Sequence, residues 1–286
     1  MSPKSLKNKV IIVTGASGGI GTETSRLLTS FGASCVLASR RSRRFTALID
    51  EIKLSNSATI SVEADLALWQ SWPHLVSRTV ETFGRIDALV HCVGSLVPQS
   101  LESTKEKQIA QILNANLLST MYAIKAVLPV MRKQKNGDIV VVGSLGGLIP
   151  MPFQSLYCAT KFGVRGLCLS LNEELRGTGI SVSVIAPGPV RTRMLIAEAN
   201  DRRATMAFSN PPLEPVVVAD KIADILLSPT PETILPRHYG IPARLVGLFP
   251  RLFSGIRPLL TYFGARRIRV FRKLFRSANT LLAETE

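Results

Sequence analysis

The chain has 286 residues, 46% of them hydrophobic, and a formal net charge of +15. That length supports one large buried core or at most two modest ones. Its four cysteines, Cys35, Cys92, Cys158 and Cys168, form no CxxC pair and its histidines no cluster, which argues against a metal site and a disulfide framework and fits free thiols in a reducing compartment.

The charge is unevenly placed. Residues 237–276 carry ten Arg or Lys and no Asp or Glu, so the basicity belongs mainly to the tail and points to a membrane surface or acidic partner before nucleic acid. No signal peptide is expected, since the first apolar run, Val10 to Val13, is too short and runs directly into glycines. The core is expected on the cytosolic side.

Residues Lys9 to Val13 form a β-branched run suited to a buried parallel strand, and TGASGGIG follows at Thr14 to Gly21. A helix is predicted from Ile20, with Leu27, Leu28 and Phe31 facing a sheet and Gly32 as its C-terminal cap. Between strand and helix, Gly15, Gly19 and Gly21 allow a tight turn, backbone approach to a pyrophosphate and close helix packing. This stretch, including Ser17 and Ile20, is the predicted dinucleotide site, with the helix N-terminus facing the phosphates.

The next strand, Ser34 to Ser39, should end near the adenosine ribose. The run Ser39-Arg40-Arg41-Ser42-Arg43-Arg44 offers no carboxylate for the 2′-hydroxyl of NAD, whereas a guanidinium can hold a 2′-phosphate. NADP(H) is therefore preferred over NAD(H), with Arg40 as clamp and Ser39 as supporting hydroxyl. Arg43 and Arg44 suit a solvated helix start.

A helix to about Leu54 and a strand near Thr59 to Val62 precede Asp65, which either caps the following helix or reaches the adenine. Asp87 to His91 reads as another buried strand leading to Cys92-Val93-Gly94, with His91 a satisfied sheet residue without chemistry. Gln108 to Met131 has helical spacing but contains Asn114 and Asn116, and a buried asparagine there marks a backbone irregularity or a bound water.

Ile139 to Val142 is the next strand, and Ser144 lies at its carboxyl end, where open α/β sheets put their sites. Tyr157 and Lys161 are four apart on one helical face, so the ammonium can pull the phenol below its ordinary pKa of about 10. Their helix should end at Gly177, and Ile180 to Ala186 forms a strand before Pro187-Gly188-Pro189. Six or seven strands alternating with helices describe an α/β, Rossmann-type, doubly wound parallel sheet.

With these motifs in order, the chain resembles the short-chain dehydrogenase/reductases of the single-domain type. The resemblance rests on TGxxxGxG (Thr14 to Gly21), Asn116, the Ser144, Tyr157, Lys161 constellation and PGxVxT (Pro187, Gly188, Val190, Thr192), and covers about residues 8–235. It implies hydride transfer between a nicotinamide and a carbonyl or alcohol carbon, with Tyr157 as general acid or base. Lys161 would lower the Tyr157 pKa and bind the nicotinamide ribose, Ser144 would position the substrate oxygen, and Asn116 would hold a water linking Lys161 to solvent. Thr192 and the Val190 backbone would bind the carboxamide, Arg40 the 2′-phosphate, and Asp65 the adenine. Where the family commonly has Asn-Asn-Ala-Gly, this chain has His91-Cys92-Val93-Gly94. Gly94 can keep its backbone contact to the cofactor, but looser support of the strand is expected.

Two stretches lie outside that pattern. Residues 191–215 form a long connection of the kind that often closes over a substrate; Met194, Leu195, Ile196, Met206 and Phe208 make it apolar. They either favour a hydrophobic substrate or pack on the core. Residues 1–235 are read as the catalytic domain and 236–286 as a basic extension. Its apolar clusters are interrupted by Arg244, Arg251 and Arg257 and by Pro242, Pro250 and Pro258, which argues against a spanning helix. From Arg266 to Arg276, Ile268, Phe271, Leu274 and Phe275 form an apolar stripe among arginines, suited to peripheral membrane contact or to packing on the enzyme's own core or a second subunit. Membrane contact is favoured, a homo-oligomer is expected, and no nucleic acid is. A non-catalytic cofactor sensor or membrane-surface scaffold is the alternative function, against which the four intact residues Asn116, Ser144, Tyr157 and Lys161 weigh.

Overall fold

Seven parallel strands make the centre of the molecule, in a computed structural model that describes residues 5–55, 58–199 and 201–282. The strands are β1 (Val10–Thr14), β2 (Ser34–Ser39), β3 (Ile60–Glu63), β4 (Ala88–His91), β5 (Gly137–Val142), β6 (Ile180–Pro187) and β7 (Glu232–Leu235). Their order is β3-β2-β1-β4-β5-β6-β7, so the crossover direction reverses beside β1. That reversal opens a crevice at the carboxyl ends of the strands. The short seventh strand, not singled out by any pattern in the sequence, completes the edge by pairing Val184 to Pro187 with Glu232 to Leu235.

Strand periodicity sorts the core into two layers. Ile11, Val13, Val140 and Val142 face one side, against Leu28 of α1 (Gly19–Ser30), Leu48 and Ile52 of α2 (Arg43–Ser55) and, much further along the chain, Ile222 of the helix Pro215–Leu227. Ile12, Ile139, Val141 and Val182 face the other, against Leu75 of α3 (Ser71–Phe83), Val127 of the helix Ser119–Gln134 and Val164 of the helix Ser155–Glu174.

The irregularity expected around Asn116 is a π-helical turn, Asn114–Leu118, between α4 (Glu106–Leu113) and α5 (Ser119–Gln134). The Tyr157 helix is α6 (Ser155–Glu174). Residues 191–215 are not an irregular loop: they contain α7 (Arg193–Ala199) and a 3-10 segment (Arg202–Phe208), followed by α8 (Pro215–Leu227).

The extension is helical, with α9 (Gly240–Leu248) and α10 (Pro250–Leu282), and it lies on the catalytic core. Ile268 and Phe271 are buried with Leu195, Ala199 and Phe208, and the Phe208 and Phe271 rings stand 5.1 Å apart. The apolar stripe read as a membrane face is, at these two positions, a seam between α10 and the 191–215 segment. The side chains of Leu274 and Phe275 lie outside the described residues. Gly264 makes the close approach possible, because a Cβ there would collide with the carbonyl of Thr205, and Arg267 donates to the Ser209 carbonyl. No described helix is long and apolar enough to cross a membrane.

Candidate active site

A cavity of about 770 Å³ runs along the crevice from the start of α1 to the extension. At its first end, Gly15 turns the chain at φ 67, and a Cβ there would stand 3.0 Å from the Cys92 carbonyl group. A Cβ on Gly19 would stand 2.6 Å from Thr192 Cγ2, and one on Gly21 would strike the Gly15 carbonyl oxygen. These contacts leave backbone where side chains would fill the space. The N-terminus of α1 has no side-chain cap and no acid in its first turn, so its free N–H groups and positive dipole end suit a pyrophosphate. The cradle thus fits a dinucleotide.

Ser17, Gly19, Ile20 and Gly21 line this end. Thr14 lies beneath it, fully buried, and Ser17 Oγ bonds Ser39 Oγ at 2.6 Å, tying the glycine loop to the end of β2. Arg40 is exposed and outside the cavity wall, whereas Ser42 and Arg44 line it. Arg44 is exposed as expected for a solvated helix start, and it also borders the cavity. Asp65 is also exposed and off the wall; its Oδ1 accepts from the Ala67 N–H at 3.1 Å, a local turn.

The middle of the cavity gathers Gly94, Ser144, Tyr157, Lys161, Pro187, Gly188, Val190 and Thr192 from the ends of β4, β5 and β6 and from α6. Lys161 is 4% exposed; its Nζ donates to the Val142 carbonyl at 3.0 Å and lies 5.8 Å from the centre of the Tyr157 ring. Burial lowers the Lys161 pKa to about 8. Burial also pushes the Tyr157 phenol well above its ordinary range, and its hydrogen bond with Ser144 offsets only part of this. Loss of solvent is the largest cause of this rise, and the Lys161 ammonium is not among its causes.

Asn116 is fully buried beneath this centre. Its Oδ1 accepts from the Ser95 N–H at 2.6 Å, and its Nδ2 donates to the Ser95 carbonyl at 2.9 Å and to Thr160 Oγ1 at 3.0 Å. The side chain thus locks the loop after β4 to α6. A Cβ on Gly94 would stand 3.6 Å from Lys161 Nζ and 3.7 Å from Asn116 Oδ1, ordinary contact distances, so the backbone here runs alongside both side chains.

The support expected to be loose at His91 is firm. Its Nδ1 bonds Thr14 Oγ1 at 2.8 Å and its Nε2 bonds Ser119 Oγ at 3.2 Å, joining β4 to β1 and α5. Burial lowers its pKa to about 3, with the Lys161 charge adding to the effect, so the ring is neutral and acts as a brace.

The far end is walled by residues that the sequence did not mark as part of a site: Gln154, Glu198, Tyr239, Val246, Ile256 and Leu260. Gln154 sits three residues before Tyr157, a signal available in the sequence. The extension residues gave none, because only tertiary packing brings them there.

The short chain dehydrogenase family model matches residues 9–203. An uncharacterized oxidoreductase of Staphylococcus saprophyticus is 36% identical over 192 residues, 66% of this chain and 77% of that protein. One of Listeria innocua is 34% identical over 223 residues, covering 77% and 90%. Among solved structures, gox2181 superposes with a TM-score of 0.75 at 26% identity, covering 80% of this chain and 94% of that one. Levodione reductase shares the fold, with a TM-score of 0.73 at 24% identity over 81% and 97%. The glycine cradle, the residues gathered at the strand ends and the family match together make this chain a member of the short-chain dehydrogenase/reductase family, an NAD(P)-dependent oxidoreductase.

Proposed function

We propose that the protein is an NADP-dependent reductase of hydrophobic carbonyls, oxidising secondary alcohols in reverse, with Tyr157 as general acid and base. The observation that carries this reading is that Ser144, Tyr157 and Lys161 line one cavity that begins at the glycine cradle. The nicotinamide, when bound, supplies the hydride for the carbonyl carbon. The Tyr157 phenol, whose ordinary pKa is about 10, is protonated at neutral pH, the form that can give a proton to the carbonyl oxygen as charge develops there. Ser144 Oγ accepts from the Gly146 N–H at 3.0 Å, which leaves its own hydrogen to orient that oxygen. The Lys161 ammonium stabilises the phenolate that proton transfer leaves behind.

For NADP, the support is that the run from Ser39 to Arg44 after β2 holds arginines and no carboxylate, with Arg44 on the cavity wall. For a hydrophobic substrate, it is the wall made by Met194, Leu195, Met206, Val246 and Leu260. Tyr157→Phe should lower kcat by roughly 10²–10⁴ while NADPH still binds; unchanged turnover sinks the assignment. Arg40→Asp and Arg44→Asp should each be assayed for the NADP to NAD preference, and a ratio unmoved in both removes NADP selection from this run. Tight NADPH binding with no turnover across a carbonyl panel would favour a non-catalytic sensor.

Peripheral contact with an anionic membrane surface is proposed for α9 and the first half of α10. Ile241, Leu248, Phe249, Leu259 and Phe263 are exposed there, beside Arg251 and Arg257 in a stretch without acids. Ile256 is half-exposed on the same helix and lines the cavity, so the surface borders the substrate path. Vesicles containing phosphatidylserine should pellet the full chain, and Leu248→Glu with Phe263→Glu should abolish this. Equal pelleting, or a stable dimer that covers Phe263, overturns it.

A further inference from the structure

The far wall of the cavity holds a carboxyl group that the reduction just described does not use. Glu198, near the end of α7, is 6% exposed and lines the same cavity as Tyr157. Gln154 Nε2 donates to its Oε1 at 2.8 Å. Gln154 is itself 3% exposed, and its Oε1 has no hydrogen-bond partner among the described residues. Of the buried side-chain atoms without a partner among the described residues, it alone belongs to a residue of the cavity wall. Exchanging the amide's oxygen and nitrogen does not remove the deficit, since one end can meet Glu198 and the other is then left unpaired.

The backbone places this pair deliberately. Phe153 adopts φ 61, in the left-handed region that aromatic residues rarely occupy, immediately before Gln154 opens α6. From the other side, α10 packs Ile268 and Phe271 on Leu195 and Ala199, the neighbours of Glu198 on α7. A polar pair is therefore held in a wall that also carries Met194, Leu195 and Met206, one helical turn from Tyr157 on the chain.

Resting on the reading of Tyr157 as the group that meets the reacting oxygen, we propose that Gln154 and Glu198 form a second polar subsite, which recognises a neutral hydroxyl elsewhere on the carbonyl substrate. The substrate class is thus a hydrophobic hydroxyketone, or the corresponding diol in the oxidising direction. A hydroxyl suits the pair because it donates to the unpaired Gln154 oxygen and accepts from a protonated carboxyl. Burial raises the Glu198 pKa to about 8, with the Gln154 hydrogen bond opposing, so the protonated form prevails at neutral pH. A site built to pair a hydroxyl discriminates against the analogue that lacks it, because the buried groups then go unpaired.

The test uses the full-length Tyr157→Phe protein loaded with NADPH, so that binding is read without turnover. Titration calorimetry compares methyl hexyl ketone with analogues carrying a hydroxyl, or an ammonium group, at successively greater distances from the carbonyl. At least one hydroxylated analogue should bind about tenfold tighter than the parent ketone. Adding Glu198→Leu or Gln154→Leu should erase that preference, and Glu198→Gln, which keeps a neutral hydrogen-bonding group, should retain most of it. Retained NADPH affinity establishes that each variant is folded. Equal affinity along the series, a preference that survives both leucine variants, or tighter binding of an ammonium analogue overturns the proposal. Hydroxyketone binding by this pair in a protein whose wild type turns over no carbonyl would instead defeat the assignment of Tyr157 and leave the subsite standing.

Discussion

The imidazole of His91 bridges Thr14 Oγ1 at 2.8 Å and Ser119 Oγ at 3.2 Å, so one side chain joins β1, β4 and α5 directly below the cofactor cradle. Removing it leaves a void and weakens two buried hydroxyl contacts. His91→Ala should cost about 2 kcal/mol in urea unfolding. The folded pKa of about 3 lies below the ordinary value of 6.5, so the unfolded chain binds the proton first. The His91 contribution is present above pH 6.5 and is lost as pH falls towards 3. His91→Asn should therefore flatten the acid loss of stability in that window; an unchanged slope would show that other groups set it.

Glu198 has the opposite sign. Its folded pKa of about 8 lies above the ordinary 4.5, so stability is fullest below pH 4.5 and falls as pH rises towards 8. Glu198→Gln removes that fall. The variant should gain stability relative to wild type as pH increases across this window, measured by thermal unfolding at several pH values. Parallel curves would mean that the carboxyl is already ionised at neutral pH.

Gly19 and Gly21 should differ in how well they tolerate a methyl group. A Cβ on Gly19 meets the side chain of Thr192 at 2.6 Å, whereas one on Gly21 meets the carbonyl of Gly15. A side chain can be trimmed and a carbonyl cannot. Gly19→Ala should weaken NADPH binding and be largely rescued by Thr192→Ser, while Gly21→Ala should not be rescued. NADPH fluorescence titration of the single and double variants reads this, and failure of the rescue would remove the contact with Thr192 as the cause.

Gly264 lets α10 lie against the Thr205 carbonyl, and through it the extension holds α7 and the 3-10 segment. Gly264→Val should lift α10 and expose Phe208 and Phe271, now buried together. We expect a lower melting temperature, greater binding of a hydrophobic dye and a raised KM for hydrophobic carbonyls with NADPH affinity retained. Unaltered dye binding would mean that the seam tolerates the side chain.

Much of the site was legible because local spacing controls it. The strand, glycine loop and helix from Lys9 to Gly32 carry their turn chemistry in the residues themselves, and Tyr157 and Lys161 share a face by helical geometry alone. Ser144 and the Pro187-Gly188 end could be placed because buried β-branched runs mark where parallel strands stop. The expectation of an irregularity at Asn116 held for the same local reason: a buried asparagine inside a helix must bond something, and the π-helical turn delivers it to Ser95 and Thr160.

What only the tertiary structure decided concerns burial and distant packing. Sequence spacing brought an ammonium near Tyr157, but the sign of the pKa shift depended on how much solvent the assembled cavity excludes. The arginine that faces the cavity, Arg44 rather than Arg40, depended on how α2 leaves the sheet edge. The basic apolar stripe of the extension looked alike as a membrane face or a core face, since amphipathic spacing does not say what lies opposite. In the fold, Ile268 and Phe271 meet Leu195 and Phe208, and the sequence by itself had determined only that such a stripe must be covered.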